Sequence, residues 1–255
     1  MTGGSSERKI RQFWDSRAGE ERGEHEITHR DIWQRWLEIE HIKAFLNRKT
    51  RAIDIGCGNG YTTRQVAPLV KEIVGVDYSG AMIARARAAS PGITFEVCDV
   101  LKLKPVDHGT FDIAISERCL INLTSWEDQR RAIRNIASVI KEGGLFLFIE
   151  GSREGRDRLN AMRRSVGLDS MPPVWHNLDF EEKRLGSYIS RFFTVEKRLH
   201  FGVYDLIARV VHPLFAAPEE PGYEARINEI AAKMALQRQD LPEISRTIFL
   251  VLRRK

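Results

Sequence analysis

An α/β fold, with a mostly parallel sheet covered by helices on both faces, is the architecture this sequence predicts, and three observations predict it. Short apolar runs alternate with helical stretches through the middle of the chain, the pattern of buried parallel strands joined by crossover helices. A glycine-rich segment, Asp54-Ile55-Gly56-Cys57-Gly58-Asn59-Gly60, closes the first run and opens a helix. The 255 residues are 42% hydrophobic and 29% charged, which supports a packed core and argues against a disordered or fibrous chain.

Residues 7–17 read as a short helix. Thr28 with Asp31 three positions on resembles a capping box. Behind it Ile32, Trp33, Trp36, Leu37, Ile39, Ile42, Phe45 and Leu46 recur at helical spacing, so an amphipathic helix is expected to end near Asn47. Strands are expected at 51–55, 73–77, 93–97, 111–116 and 145–150, separated by helices at 61–70, 79–90 and 124–141. The last helix is expected to open at Thr124, with Glu127 three residues on. After residue 150 the alternation breaks down. An arginine-rich helix at 153–165 and a loop with proline and tryptophan at 171–178 precede strand candidates at 192–198 and 246–253.

Composition excludes several classes. No apolar run approaches the ~20 residues that span a bilayer, and the polar MTGGSSERK start is expected to be no secretory signal. Cys57, Cys98 and Cys119 form no CxxC, against a disulfide framework or a structural zinc site, so no metal is expected. The 40 basic residues are interleaved with 35 acidic ones for a net charge of +5. That surface suits an acidic substrate and is too weakly basic to imply nucleic acid. A reduced, cytoplasmic protein is the expectation.

Glycines at 56, 58 and 60 let the backbone turn sharply and approach a ligand at the carboxyl edge of the sheet. The spacing is GxGxG, tighter than the GxGxxG that frees helix N–H groups for a pyrophosphate, and it suits a ligand without phosphate. Asp77 ends the second strand, where a carboxylate accepts from both hydroxyls of a ribose. Asp99 follows the third strand and is placed to accept from an exocyclic amine.

With IDIGCGNG, VGVDYS, FEVCDV, FDIAISERCLINL and GGLFLFIE in this order, residues 48–150 resemble a class I S-adenosylmethionine-dependent methyltransferase. The resemblance implies a doubly wound, Rossmann-like sheet of seven strands, the last antiparallel, with S-adenosylmethionine as cofactor. It implies that Asp54, Gly56, Cys57, Gly58 and Gly60 hold the methionyl part and Asp77 the ribose. Tyr78 and Met82 would flank the adenine, Asp99 and Val100 read its edge, and Glu117 lie against polar groups of the cofactor. The segment Phe13-Trp14-Asp15-Ser16-Arg17-Ala18 is similar to one that closes over the cofactor, with Arg17 pairing its carboxylate. On this reading residues 1–47 form a helical lid. Residues 48–255 form the methyltransferase domain, with a cofactor half at 48–150 and acceptor-side insertions at 151–190 and 199–245.

The acceptor is expected to be a polar, possibly anionic, small molecule, methylated on oxygen in preference to nitrogen. Arg118, Glu150, Arg153, Trp175 and Tyr223 are its candidate contacts, with His176 and His212 as candidate bases near neutral pH. RNA methylation, drawing on patches such as Arg130-Arg131, and a catalytically silent cofactor-binding regulator are the competing readings.

Overall fold

The computed structural model describes residues 3–105 and 109–255, with side chains from Glu7 onward. Its centre is one seven-stranded sheet in the order β3-β2-β1-β4-β5-β7-β6. The strands are β1 Arg51–Ile55, β2 Glu72–Asp77, β3 Thr94–Val97, β4 Phe111–Glu117, β5 Ile140–Gly151, β6 Phe193–His200 and β7 Thr247–Arg254. The pairs from β3 to β5 are parallel, and β7 runs antiparallel to both β5 and β6. All seven expected strands are present within a few residues of their expected limits, except that β5 begins five residues early. It does so because helix α5 (Trp126–Val139) stops at Val139 and pairing with β4 starts at once, from Ile140 to Phe111 across an irregularity.

The inner strands β1, β2, β4 and β7 are apolar because both faces are covered, whereas the edge strand β6 is largely exposed. Side chains alternate across a strand, so Ile113 and Ile115 of β4 enter one core and Ala114 the other. On the Ala114 face lie α5 and α7 (Glu182–Ile189), through Ile133, Ile136, Leu185 and Ile189. On the Ile113 and Ile115 face lie α2 (Ile32–Lys43), through Leu37, Ile39 and Ile42, and α10 (Arg226–Gln237), through Ala231, Ala232 and Ala235. Much of the expected insert at 199–245 is therefore a covering layer. Its earlier part is α8 (Gly202–Leu206), a π-helical turn at Ile207–Val211 and α9 (His212–Ala216).

Two helix starts differ from expectation. Asp31, not Thr28, caps α2, its carboxylate accepting from the Gln34 amide at 3.0 Å. The Thr28 hydroxyl is engaged instead by Arg35. Ser125, not Thr124, caps α5 and accepts from the Asp128 amide at 3.1 Å. Helix α2 also ends at Lys43, earlier than expected, with Phe45 and Leu46 packing on the core from the following turn.

The other α-helices among the described residues include α1 (Gly3–Ala18), α3 (Tyr61–Val66), α4 (Gly80–Ala89) and α6 (Arg153–Ser165). The chain runs outward from β1 to β3 and then crosses back to β4 beside β1. At such a reversal the loops after adjacent strands diverge and leave a crevice beyond their carboxyl ends. The loops after β1 and β4 stand at that point.

Candidate functional site

A cavity of about 970 Å³ opens there. Pockets for one drug-sized ligand run ~300–1,000 Å³, and this one lies at the top of that range. Its floor is the glycine loop after β1. Gly56 and Gly58 have φ of +74° and +55°, and a Cβ would lie 2.4 Å from the Cys119 side chain or 2.6 Å from Thr28 Cγ2 respectively. The cradle therefore needs glycine twice over, for its left-handed backbone and for the space against its neighbours. Gly60 lies outside the cavity lining and forms the turn into α3, with φ +73°.

Along one wall stand the carboxylates expected there. Asp77 accepts from the amides of Gly58 at 2.9 Å and Ser79 at 2.8 Å, which aims it across the loop. Burial pushes its pKa up to about 6, against the pull of those two amides. Asp54 accepts from the Thr63 hydroxyl at 2.5 Å, and burial raises it to about 7. Asp99 accepts from the Leu101 amide at 2.9 Å and turns the chain after β3. Cys57, Tyr78, Met82 and Val100 share the lining, Met82 being buried under the N-terminus of α4. These chemistries fit an adenosyl ligand: carboxylates face where hydroxyls and an amine would donate, beside a floor where Gly56 and Gly58 carry no side chain.

The opposite end is built from β4 and α2. Glu117 accepts from the Thr62 hydroxyl at 2.7 Å and from Arg118. Burial raises its pKa, but Arg118 and Arg35 beside it hold it below the ordinary range. Arg118, with φ +52°, is clamped between Glu117 and Glu38. Burial lifts the Glu38 carboxyl to about 7 even though Arg118 pulls it down.

Arg35 and His29 belong to the same wall and were not anticipated. Arg35 donates to the His25 carbonyl at 2.9 Å, and burial lowers its pKa to about 10. Burial, then the charges of Arg118, Arg35, Arg209 and Arg246, push His29 well below its usual range, so its ring is neutral. The one sequence signal was the polar trio Gln34, Arg35 and Glu38, all buried on a helix read as amphipathic.

The roof comes from the N-terminal segment and the 171–178 loop. Trp14 Nε1 donates to Asn122 Oδ1 at 3.0 Å, and Ser79 Oγ donates to Asp15 Oδ1 at 2.5 Å. Phe13 packs on the rings of Trp14 at 5.0 Å, Trp175 at 5.6 Å and His176 at 4.8 Å between centroids. His176 lines the cavity, with Nδ1 sealed away and a pKa that burial lowers to about 4.

Several expected contacts lie elsewhere. Arg17 reaches the lining, but its guanidinium serves the carbonyls of Ile27 and Glu26 and the Glu20 carboxylate, so it is already occupied. Glu150 is wholly buried, accepting from Ser116 Oγ at 2.7 Å and the amides of Leu120 and Ile121 at 3.0 and 3.1 Å. It pins the turn after β4 rather than facing a ligand. Arg153 pairs with Glu181 at 3.0 Å outside the cavity, and the Arg156 and Arg163 side chains engage Asp179 and the Asp169 carbonyl. The arginine-rich helix is thus tied down locally. His212 is buried against Asn228 Oδ1 at 3.1 Å, and Tyr223 sits under the Arg209 guanidinium, neither in the lining. Trp175 is 63% exposed, lies outside the cavity lining and touches the site through its ring contacts with Phe13 and His176.

Residues 52–144 match a family model described as a methyltransferase domain. The chain is 32% identical to a methyltransferase-named protein of Encephalitozoon cuniculi over 181 residues, covering 71% of this chain and 80% of that one. A tRNA (carboxymethyluridine(34)-5-O)-methyltransferase of Saccharomyces cerevisiae is 37% identical over 92 residues, 36% of this chain and 32% of that protein. Apart from the first, the chain spans about a third to a half of the length of the curated relatives it matches. The N-methyltransferase NodS of Bradyrhizobium japonicum, solved with S-adenosyl-L-homocysteine, superposes with a TM-score of 0.58 at 14% identity, over 96% of this chain and 98% of that one. With a doubly wound seven-stranded sheet, a glycine-floored cavity at its switch point and a relative of this similarity across most of both chains, the protein belongs to the class I S-adenosylmethionine-dependent methyltransferases.

Proposed function

We propose that the chain methylates an oxygen of a polar small molecule enclosed in this cavity. The observation that carries the proposal is that one 970 Å³ space runs from Asp77 and Asp99 to Arg118, His29 and His176, roofed by the chain's own segments. A roof supplied by the chain itself suits an acceptor that enters whole. S-adenosylmethionine supplies a sulfonium methyl group for in-line displacement. Asp77 would hold the ribose, Asp99 and Val100 the adenine edge, and Gly56, Gly58, Asp54 and Glu117 the methionyl part. Residues 3–30 would act as the lid, leaving α2 to the core.

Methylating a hydroxyl requires that its proton leave. His176 is the base of this reading because it lines the cavity, although burial lowers its pKa to about 4 and so weakens it as a base. His29 faces the charges of four arginines, which oppose protonation, so it serves as a neutral hydrogen-bonding wall. Arg118 and Arg35, both paired with buried carboxylates, give that end a polar wall suited to a hydroxyl-bearing acceptor such as a phenol. Turnover to S-adenosylhomocysteine is to be measured with a panel of carboxylates and phenols and, because of the yeast relative, with tRNA. The proposal expects turnover with a small molecule and none with tRNA; the reverse would overturn it. With an acceptor in hand, His176→Gln should lower kcat by ~10²–10⁴-fold with S-adenosylhomocysteine affinity unchanged. Unchanged kcat would remove His176 as the base.

A further inference from the structure

A second, smaller pocket of about 200 Å³ lies on the other side of the first turn of α5: Glu127 lines it, while Asp128 lines the main cavity. Its wall holds Arg130, Arg131 and Arg134 from α5 and Arg191 from the turn between α7 and β6. Arg131 is paired with Asp128 at 2.7 Å. Among the described residues, Arg130, Arg134 and Arg191 have no carboxylate within ion-pair distance, and Glu127 is the single acid in the lining. Arg130 Nε is buried with no hydrogen-bond partner.

Two of the arginines are held by aromatic rings. Arg130 and Arg191 lie over Tyr188 at 5.8 and 5.5 Å, and Arg191 over Phe192 at 5.9 Å. Tyr188 Oη donates to the Arg130 carbonyl at 3.1 Å, which fixes the ring between α7 and α5. Guanidinium stacking on a ring leaves the in-plane N–H groups free to donate. Three uncompensated guanidiniums around one small space repel each other until an anion joins them. A phosphate, with several oxygens able to take bidentate pairs from more than one arginine, matches them better than a planar carboxylate. The pocket falls below the ~300–1,000 Å³ of sites that enclose a whole drug-sized ligand, so it fits a head group whose remainder lies on the surface.

We propose that this pocket between α5 and α7 binds the phosphate group of a phosphate ester, at a site separate from the methyl-transfer cavity and independent of the acceptor assigned to it. The test titrates inorganic phosphate, at ionic strength held constant with chloride, into wild type, Arg134→Ala and Arg191→Ala by calorimetry. Both arginines are exposed, so neither substitution should disturb folding, and S-adenosylhomocysteine affinity serves as the check. Saturable binding in wild type, weakened at least tenfold in each variant with S-adenosylhomocysteine affinity unchanged, is expected. Uridine monophosphate and a short oligouridylate then separate the sources. Tighter, more salt-dependent oligouridylate binding identifies a strand, and equal binding identifies a monoester. Phosphate heats equal to those of chloride, or unchanged in both variants, would overturn the proposal.

Discussion

Asp77 shows how a single residue couples the fold to the ligand. Its carboxylate ties the glycine loop to the start of α4, and burial holds its pKa near 6, above that of an ordinary aspartate. Ribose hydroxyls donate to the ionised form, so binding must favour it. The Asp77 contribution to S-adenosylhomocysteine affinity is therefore expected to be fully present above about pH 7 and to be lost as pH drops through about 6. Near pH 6 binding should release a proton to the buffer, visible as heats that vary with buffer ionisation enthalpy. Asp77→Asn should abolish that release; a release that survives the substitution would assign the proton elsewhere. Residues whose role is set by backbone geometry, such as Gly56 and Gly58, were legible in the sequence. His29, Arg35 and Glu38 were not, because their partners are supplied by distant β4 and by Arg209 and Arg246.

Among the elements, the strands and α6 stood out because their apolar period or arginine content changes abruptly at their ends. The roles of the loops did not. Glu150 was read as facing the crevice from the end of β5, yet it turns back to bind the amides at 120 and 121. The N-terminal segment was read as a helical lid, and the structure shows how it is fastened. Glu24 binds Arg85 at 2.7 Å, Arg64 at 3.2 Å and Asn59 Nδ2 at 2.8 Å, clipping residues 20–30 to both helices beside the glycine loop. These bonds are partly exposed, so each contributes only ~0–1 kcal/mol, and the segment should open more readily than the sheet. Amides of α1 are expected to exchange faster without S-adenosylhomocysteine than with it. Glu24→Ala should speed them by about tenfold, or ~1.4 kcal/mol, without altering exchange in β4 or β5. Equal protection of α1 with and without the ligand would rule out a lid.

At the scale of the whole molecule, the cofactor half and the acceptor half differ in how far sequence reaches. Enzymes on this fold share the loops after β1 to β3 and differ in what covers the cavity, so fold analogy stops at the cofactor. That is why Asp54, Asp77 and Asp99 were found in the cavity wall, whereas Arg153, His212 and Tyr223 were misplaced outside it. The central claim is that the glycine-floored cavity binds the S-adenosyl cofactor through Asp77. Calorimetric titration of S-adenosylhomocysteine into wild type and Asp77→Ala tests it most directly. One site per chain is predicted, weakened in Asp77→Ala by ~1.5–3 kcal/mol for the loss of hydrogen bonds to a charged acceptor. No binding to the folded wild type, or equal affinity in the two proteins, would contradict it.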